Sequence, residues 1–98
     1  MEKSTAHYKL ERVRALIAEG RVAFTASAAR DHQAMAMSRG EAVAVVCKLC
    51  PGDFHKSMTT YRDHRVWQDV YHPRTPYGSL YVKLTVESDL LVVSFKVR

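Results

Sequence analysis

The first half of the chain carries apolar residues at helical spacing. Four of them form one face of a predicted helix: Leu10, Val13, Leu16 and Ile17. Thr5 is the predicted N-cap of this helix, and Gly20 is the residue expected to end it. The short apolar run of residues 21–24 predicts a brief strand after the helix.

Two further helices are predicted before the middle of the chain. Thr25 or Ser27 is suited to cap an alanine-rich helix that reaches about Met37. The segment Ser38–Glu41 has the sequence of a capping box, with serine at the N-cap and glutamate three residues later. Pro51 and the glycine after it are expected to end this third helix.

The C-terminal end alternates between apolar and polar residues, which predicts a β-hairpin over residues 81–87 and 90–98. Centring the register on Ser88-Asp89 gives a core face of three apolar pairs: Val86–Leu91, Leu84–Val93 and Val82–Phe95. The same register gives a solvent-facing side of three pairs: Thr85–Val92, Lys83–Ser94 and Tyr81–Lys96. Directly opposed Cβ atoms lie about 5 Å apart, so Tyr81 and Lys96 are predicted neighbours.

A further strand is predicted from about Val66 to Pro73, before an irregular connection to the hairpin. As a partner of the hairpin, this strand would bring either Gln68 or Trp67 alongside Tyr81, and the pattern leaves the choice open. Helices first and antiparallel strands last predict an α+β fold, with the C-terminal sheet packed against the N-terminal helices. A chain of 98 residues has the size of one domain, 1–98.

The composition excludes several classes of protein. Apolar residues make up 47% and charged residues 26% of the chain, which is the composition of a globular protein and not of a disordered one. No stretch approaches the roughly 18 consecutive apolar residues of a membrane helix, and the first residues lack the apolar segment of a secretory signal. Two cysteines are too few for a disulfide scaffold, which favours a reduced, cytoplasmic compartment.

Positive charge and aromatic rings are interleaved in the second half. The chain has 15 Lys+Arg against 10 Asp+Glu, and six of its nine aromatic residues lie in residues 54–83. Cations that meet phosphates and rings that stack on bases are typical of RNA-binding surfaces. A half-buried sheet is the alternative, because strands also favour tyrosine and tryptophan. The predicted RNA contacts are His55, Arg62, Arg74 and Lys83.

Two other patterns offer alternative chemistry. Cys47 and Cys50 have CxxC spacing, but they lie at the predicted C-terminal end of a helix, where the dipole opposes a thiolate, and zinc would need two more ligands. They are expected to be buried or half-buried structural thiols. His64 and His72 are an alternative acid–base pair, in which His72 is the better candidate because it shares a face with Gln68.

Several blocks of the second half resemble the MqsR family of bacterial type II toxins. The matching segments are Asp53–Tyr61, Asp63-His64, Trp67–Tyr71, Tyr81–Val86 and Val93–Lys96. In residues 1–50 mostly the helical layout agrees. The resemblance implies a RelE-like α+β fold and an mRNA interferase that cleaves single-stranded mRNA at short GC-containing sites. It implies no metal and no cofactor.

The resemblance also implies a catalytic set and a partner. The family's catalytic residues match Lys56, Gln68, Tyr81 and Lys96. The implied partner is a cognate MqsA-type antitoxin that binds zinc and DNA through its own domains. This chain is therefore expected to contact DNA only indirectly, through the antitoxin, and no membrane partner is expected. His55 stands where members of the family carry tyrosine, which predicts an altered base preference.

The chemistry of RNA cleavage suits these residue types. RNA supplies its own nucleophile, the 2′-hydroxyl group, and no step of this cleavage demands a metal. Lys56 and Lys96 are suited to stabilise the charge that develops on the phosphorane. Tyr81 can act as acid or base, and Gln68 can hold an oxygen without titrating. The alternative function is a small basic module that binds RNA or a protein without cutting it.

Overall fold

The computed structural model describes all residues from Met1 to Arg98. Three helices lie in the first half of the chain: α1 (Leu10–Ala18), α2 (Ala26–Ala34) and α3 (Arg39–Cys47). Two short strands lie in the same half: β1 (Glu2–Lys3) and β2 (Val22–Phe24). Five strands follow a 3-10 turn at Pro51–Asp53: β3 (Phe54–Thr59), β4 (Trp67–Tyr71), β5 (Arg74–Thr75), β6 (Gly78–Val86) and β7 (Leu90–Val97).

The strands form a sheet in the order β1-β3-β4-β6-β7-β2, and β5 pairs with β6 beside this path. All pairs are antiparallel except β2 with β7. The core joins apolar helix residues such as Leu16 and Val46 to strand residues such as Val82, Leu84 and Phe95. The predicted α+β class, with helices packed on a C-terminal sheet, is therefore confirmed. None of the three helices is long and apolar enough to span a bilayer.

The predicted helix signals in residues 20–41 are confirmed. Gly20 adopts a φ of 72°, and the amides of Gly20 and Arg21 donate to carbonyls of the last turn of α1. The side chain of Thr25 accepts from the amide of Ala28, so threonine is the cap of α2. Ser38 and Glu41 form the capping box of α3.

Thr5 is not the N-cap of the first helix, and the prediction was wrong on this point. The helix begins only at Leu10, with Lys9 as its N-cap residue. The segment before it is held in another conformation, because the amides of His7 and Tyr8 donate to the buried carboxylate of Asp69 at 2.9 to 3.1 Å. A long-range hydrogen bond to β4 therefore outweighs the local capping preference of Thr5.

The hairpin register is confirmed at one end and wrong at the other. The pairs Tyr81–Lys96, Val82–Phe95 and Lys83–Ser94 are present as predicted. A bulge then shifts the register, and the next three pairs are Leu84–Val92, Thr85–Leu91 and Val86–Leu90. An extra residue in one strand moves every later side chain to the other face, so the core holds Leu90 and Val92 instead of Leu91 and Val93.

The neighbour of Tyr81 on β4 is neither Gln68 nor Trp67. The ladder between β4 and β6 pairs Tyr71 with Val82 and Asp69 with Leu84. This register places the next residue, His72, beside Tyr81, at 5.7 Å between ring centroids. The irregular connection between β4 and β6, which includes β5, determines which residues of the two strands are opposed. The alternation of apolar and polar residues alone does not predict this register.

Candidate active site

The sheet face turned away from the helices carries a cluster of cationic and polar side chains, which we call the basic face. Cross-strand partners share a face of a sheet, and the pairs Lys56–Val70, Val70–Lys83 and Lys83–Ser94 link β3, β4, β6 and β7. By the same alternation, six candidate side chains lie on this face: Lys56, Gln68, His72, Tyr81, Lys83 and Lys96. All four side chains of the predicted catalytic set are therefore on one surface.

Tyr81 and Lys96 are the closest members of the predicted set. They are directly opposed on β6 and β7, and the Lys96 Nζ atom lies 5.3 Å from the centroid of the Tyr81 ring. Lys96 is exposed and Tyr81 is half-buried, so a ligand can reach both the ammonium and the phenol. The alternation of β6 and β7 explains this placement, because it directs the adjacent residues in the chain, Val82 and Phe95, into the core.

Lys83 adds a second ammonium group to the same region. It lies two residues beyond Tyr81 on β6 and is half-buried. Burial, together with the nearby charge of Lys96, lowers the pKa of Lys83 below its ordinary value of 10.5. Two lysines that repel each other in this way favour the binding of an anion between them, because an anion relieves the repulsion.

Lys56 lies on the neighbouring part of the face and is held by the N-terminal strand. Its Nζ atom lies 2.7 Å from the Glu2 carboxylate, because Glu2 pairs with Met58 in the β1–β3 ladder. The hydrogen bond and charge of Lys56 lower the pKa of Glu2. Strands β3 and β6 are two positions apart, so the backbones of Lys56 and Lys83 are separated by about 10 Å.

Gln68 is the most distant member of the predicted set. It pairs with Met58 of β3, and four residues along β4 separate it from His72, which corresponds to about 13 Å. The side chain nearest to Tyr81 on β4 is therefore an imidazole and not the predicted amide or indole.

Two histidines that are 17 positions apart form a stack beside Tyr81. The rings of His55 and His72 lie 4.2 Å apart with an interplanar angle of 20°. A bulge in β3 between Phe54 and Lys56 brings His55 to this position. The sequence singled out both residues but not their contact, because a bulge cannot be located from alternation alone.

The proposed pairing of His64 with His72 is contradicted. His64 is exposed in the loop between β3 and β4, whereas His72 follows the opposite end of β4. The two imidazoles cannot act on one phosphate across the length of this strand.

The four predicted RNA contacts occupy different surfaces. Lys83 is on the basic face, and His55 is exposed at its margin. Arg62 is exposed in the β3–β4 loop, and Arg74 lines a pocket between β5 and α3. The structure thus brings two of these four residues to the predicted catalytic set.

The CxxC segment lies where the sequence predicts it, at the end of α3. Cys47 is half-buried, but Cys50 is exposed, contrary to the expected burial of both thiols. The Sγ atom of Cys50 lies 3.3 Å from the carboxylate of Asp53 in the 3-10 turn. No three histidine, cysteine, aspartate or glutamate side chains converge into a group that could hold a metal ion.

The fold and the basic face together define a small α+β protein with a surface that suits a polyanion. Residues 5–97 match the family model described as motility quorum-sensing regulator, toxin of MqsA. The mRNA interferase toxin MqsR of Escherichia coli (strain K12) is 45% identical over 96 residues, which is 98% of each chain. The chain belongs to the MqsR toxin family, and the family predicted from the sequence is confirmed.

Proposed function

We propose that this chain is an mRNA interferase toxin, an endoribonuclease that cleaves single-stranded mRNA by attack of the 2′-hydroxyl group on the adjacent phosphate. The observation that carries the proposal is the contact of Tyr81 with Lys96 on an open, cationic sheet face. The name of the Escherichia coli relative supports the same activity. The catalytic unit is the single domain of residues 1–98.

The cationic side chains stabilise the transition state. Lys96 and Lys83 lie beside Tyr81, so a phosphate placed there has its developing charge next to two ammonium groups. Lys56, on β3, binds the phosphate backbone of the same RNA once its ion pair with Glu2 is broken. Gln68, farther along the basic face, holds an oxygen of the RNA by hydrogen bonding.

Tyr81 supplies the proton chemistry. The 2′-oxygen forms a bond to phosphorus, the bond from phosphorus to the 5′-oxygen breaks, and the products are a 2′,3′-cyclic phosphate and a 5′-hydroxyl group. One proton leaves the 2′-hydroxyl and one reaches the 5′-oxygen. The phenol of Tyr81 can take part in either transfer, because its ring lies beside the ammonium group of Lys96, which would hold the phosphate.

The partner of this toxin is an antitoxin of the MqsA type. The description of the family as the toxin of MqsA supports this partner. We propose that the antitoxin carries the zinc and the DNA-binding function, so that this chain reaches DNA only through it. The toxin acts in the cytoplasm, where its mRNA substrate is found, and prefers short GC-containing sites, with a base preference modified by His55.

The activity is tested by incubating the purified protein with fluorescent single-stranded RNA in EDTA. We expect fragments that end in a 2′,3′-cyclic phosphate, and we expect Lys56→Ala to lower their rate of formation by about 10²-fold. Lys48→Ala is the matched control, because Lys48 is exposed at the end of α3, outside the basic face. This variant should cleave RNA at the wild-type rate. Bound but intact RNA would contradict the proposal and indicate a non-catalytic binding module.

RNA affinity is expected to fall steeply with salt. If the contacts include about four cations of the basic face, the logarithm of affinity should fall with a slope of about −3 against the logarithm of salt concentration. This slope corresponds to a loss of about 60-fold between 50 and 200 mM salt. Fluorescence anisotropy measures it, and Lys83→Gln should make the slope shallower by about 0.7. A salt dependence of affinity near zero in the wild type would show that the basic face does not bind RNA.

A further inference from the structure

His72 lies at the centre of an aromatic stack that ends at Tyr81. One side of its ring stacks on His55 at 4.2 Å, and the Tyr81 ring lies 5.7 Å away with a tilt of 40°. Its backbone amide donates to the Asp53 carbonyl at 2.7 Å, which anchors the residue where β4 ends. The imidazole is thus held beside Tyr81, on the part of the face proposed to bind the phosphate.

The groups around His72 favour its neutral form. His55 of β3 faces it as the stacked ring, and Tyr81 of β6 faces it as a phenol. Arg98, which follows β7, is the full cation whose charge acts on it. Burial is the largest cause that lowers the pKa of His72 below its ordinary value of 6.5, and the charges of Arg98 and His55 lower it further. A neutral imidazole at pH 7 is able to accept a proton.

We propose that His72 is a catalytic residue that accepts the proton of the 2′-hydroxyl group. The inference rests on the proposed RNA cleavage. As the 2′-oxygen bonds to phosphorus, its proton moves to the free nitrogen of His72. The bond from phosphorus to the 5′-oxygen breaks, and the phenol of Tyr81 gives the 5′-oxygen its proton. Solvent then carries a proton from the imidazolium to the phenolate, which restores both residues.

His55 is a positioning residue in this arrangement. Its ring covers one face of the His72 imidazole and so restricts the rotation of that side chain, and His72 itself stays partly exposed. An imidazole is better suited than a phenol to take the first proton, because reference pKa values of about 6.5 and about 10 put only imidazole near neutral pH.

The test is the pH dependence of RNA cleavage by the wild type and by His72→Gln. Because the neutral imidazole is the active form, the wild-type rate should fall as the pH drops below about 6.5. His72→Gln should lower kcat by about 10²-fold or more at pH 7.5, leave KM within about twofold, and remove this acidic limb. His64→Gln is the matched control, because that exposed histidine lies at the other end of β4, and it should keep the wild-type profile.

A second variant and an NMR titration separate catalysis from folding. Arg98→Gln removes a cation whose charge lowers the pKa of His72, so it should raise the pKa of the imidazole and move the acidic limb to higher pH. The pKa of His72 measured by NMR in the free wild-type protein should equal the pKa of the acidic limb of kcat/KM. The role of His72 would be overturned, and the proposed RNA cleavage would stand, if the acidic limb persisted in His72→Gln or if its pKa differed from the NMR value. RNA left uncut by the wild type at every pH would overturn the proposed function as well.

Discussion

Tyr81→Phe should lower the rate of RNA cleavage by about 10²- to 10³-fold and change RNA affinity by less than about threefold. The substitution removes one hydroxyl group and keeps the ring. The contacts of that ring with Lys96 and His72 remain, so the surface that binds RNA is preserved. Single-turnover cleavage and fluorescence anisotropy measure the two quantities separately.

Tyr61→Phe is the matched control for this substitution. Tyr61 is fully exposed in the β3–β4 loop, and its hydroxyl makes no contact with the basic face. We expect wild-type cleavage by this variant. If Tyr81→Phe instead lost affinity in proportion to its rate, the phenol of Tyr81 would be a binding group, and its proposed part in proton transfer would be wrong.

Asp69→Ala should lower the free energy of unfolding by about 2–4 kcal/mol, the largest effect on stability expected for a polar residue here. The carboxylate is fully buried and accepts the amides of His7 and Tyr8. Alanine leaves both amides without their partner inside the protein. Urea denaturation measures the loss, and the corresponding decrease in Tm is roughly 10–20 °C for a domain of this size.

Asp89→Ala is the control for a carboxylate in an exposed ion pair. Asp89 pairs with Arg21 at 2.8 Å, but both side chains are solvent-accessible, so the expected loss is below about 1 kcal/mol. An equal loss in both variants would show that burial of Asp69 does not determine its contribution. Release of the N-terminal segment in Asp69→Ala should also separate Glu2 from Lys56.

The division of the sheet into two faces connects these two predictions. One face packs on the helices and, near its edge, buries Asp69 under the N-terminal segment. The other face carries Tyr81 and the lysines. Changes on the basic face are therefore expected to alter cleavage with little loss of stability, whereas Asp69→Ala acts mainly on stability.

The sequence by itself determined the features that depend on neighbouring residues. The capping box of Ser38 and Glu41 and the helix end at Gly20 follow from local hydrogen bonds and backbone preferences. The contact of Tyr81 with Lys96 follows from alternation along two adjacent strands, whose apolar residues must face the core. The family could be recognised from motifs in the second half of the chain.

The tertiary structure decided the features that depend on distant parts of the chain. The bulge in β7 and the bulge at His55 each shift a register by one residue, and a periodic pattern contains no record of such an insertion. The start of α1 at Leu10 depends on Asp69, which is about 60 positions away in the sequence. The stack of His55 on His72 required both a bulge and a strand pairing, so only packing of the complete sheet could reveal it.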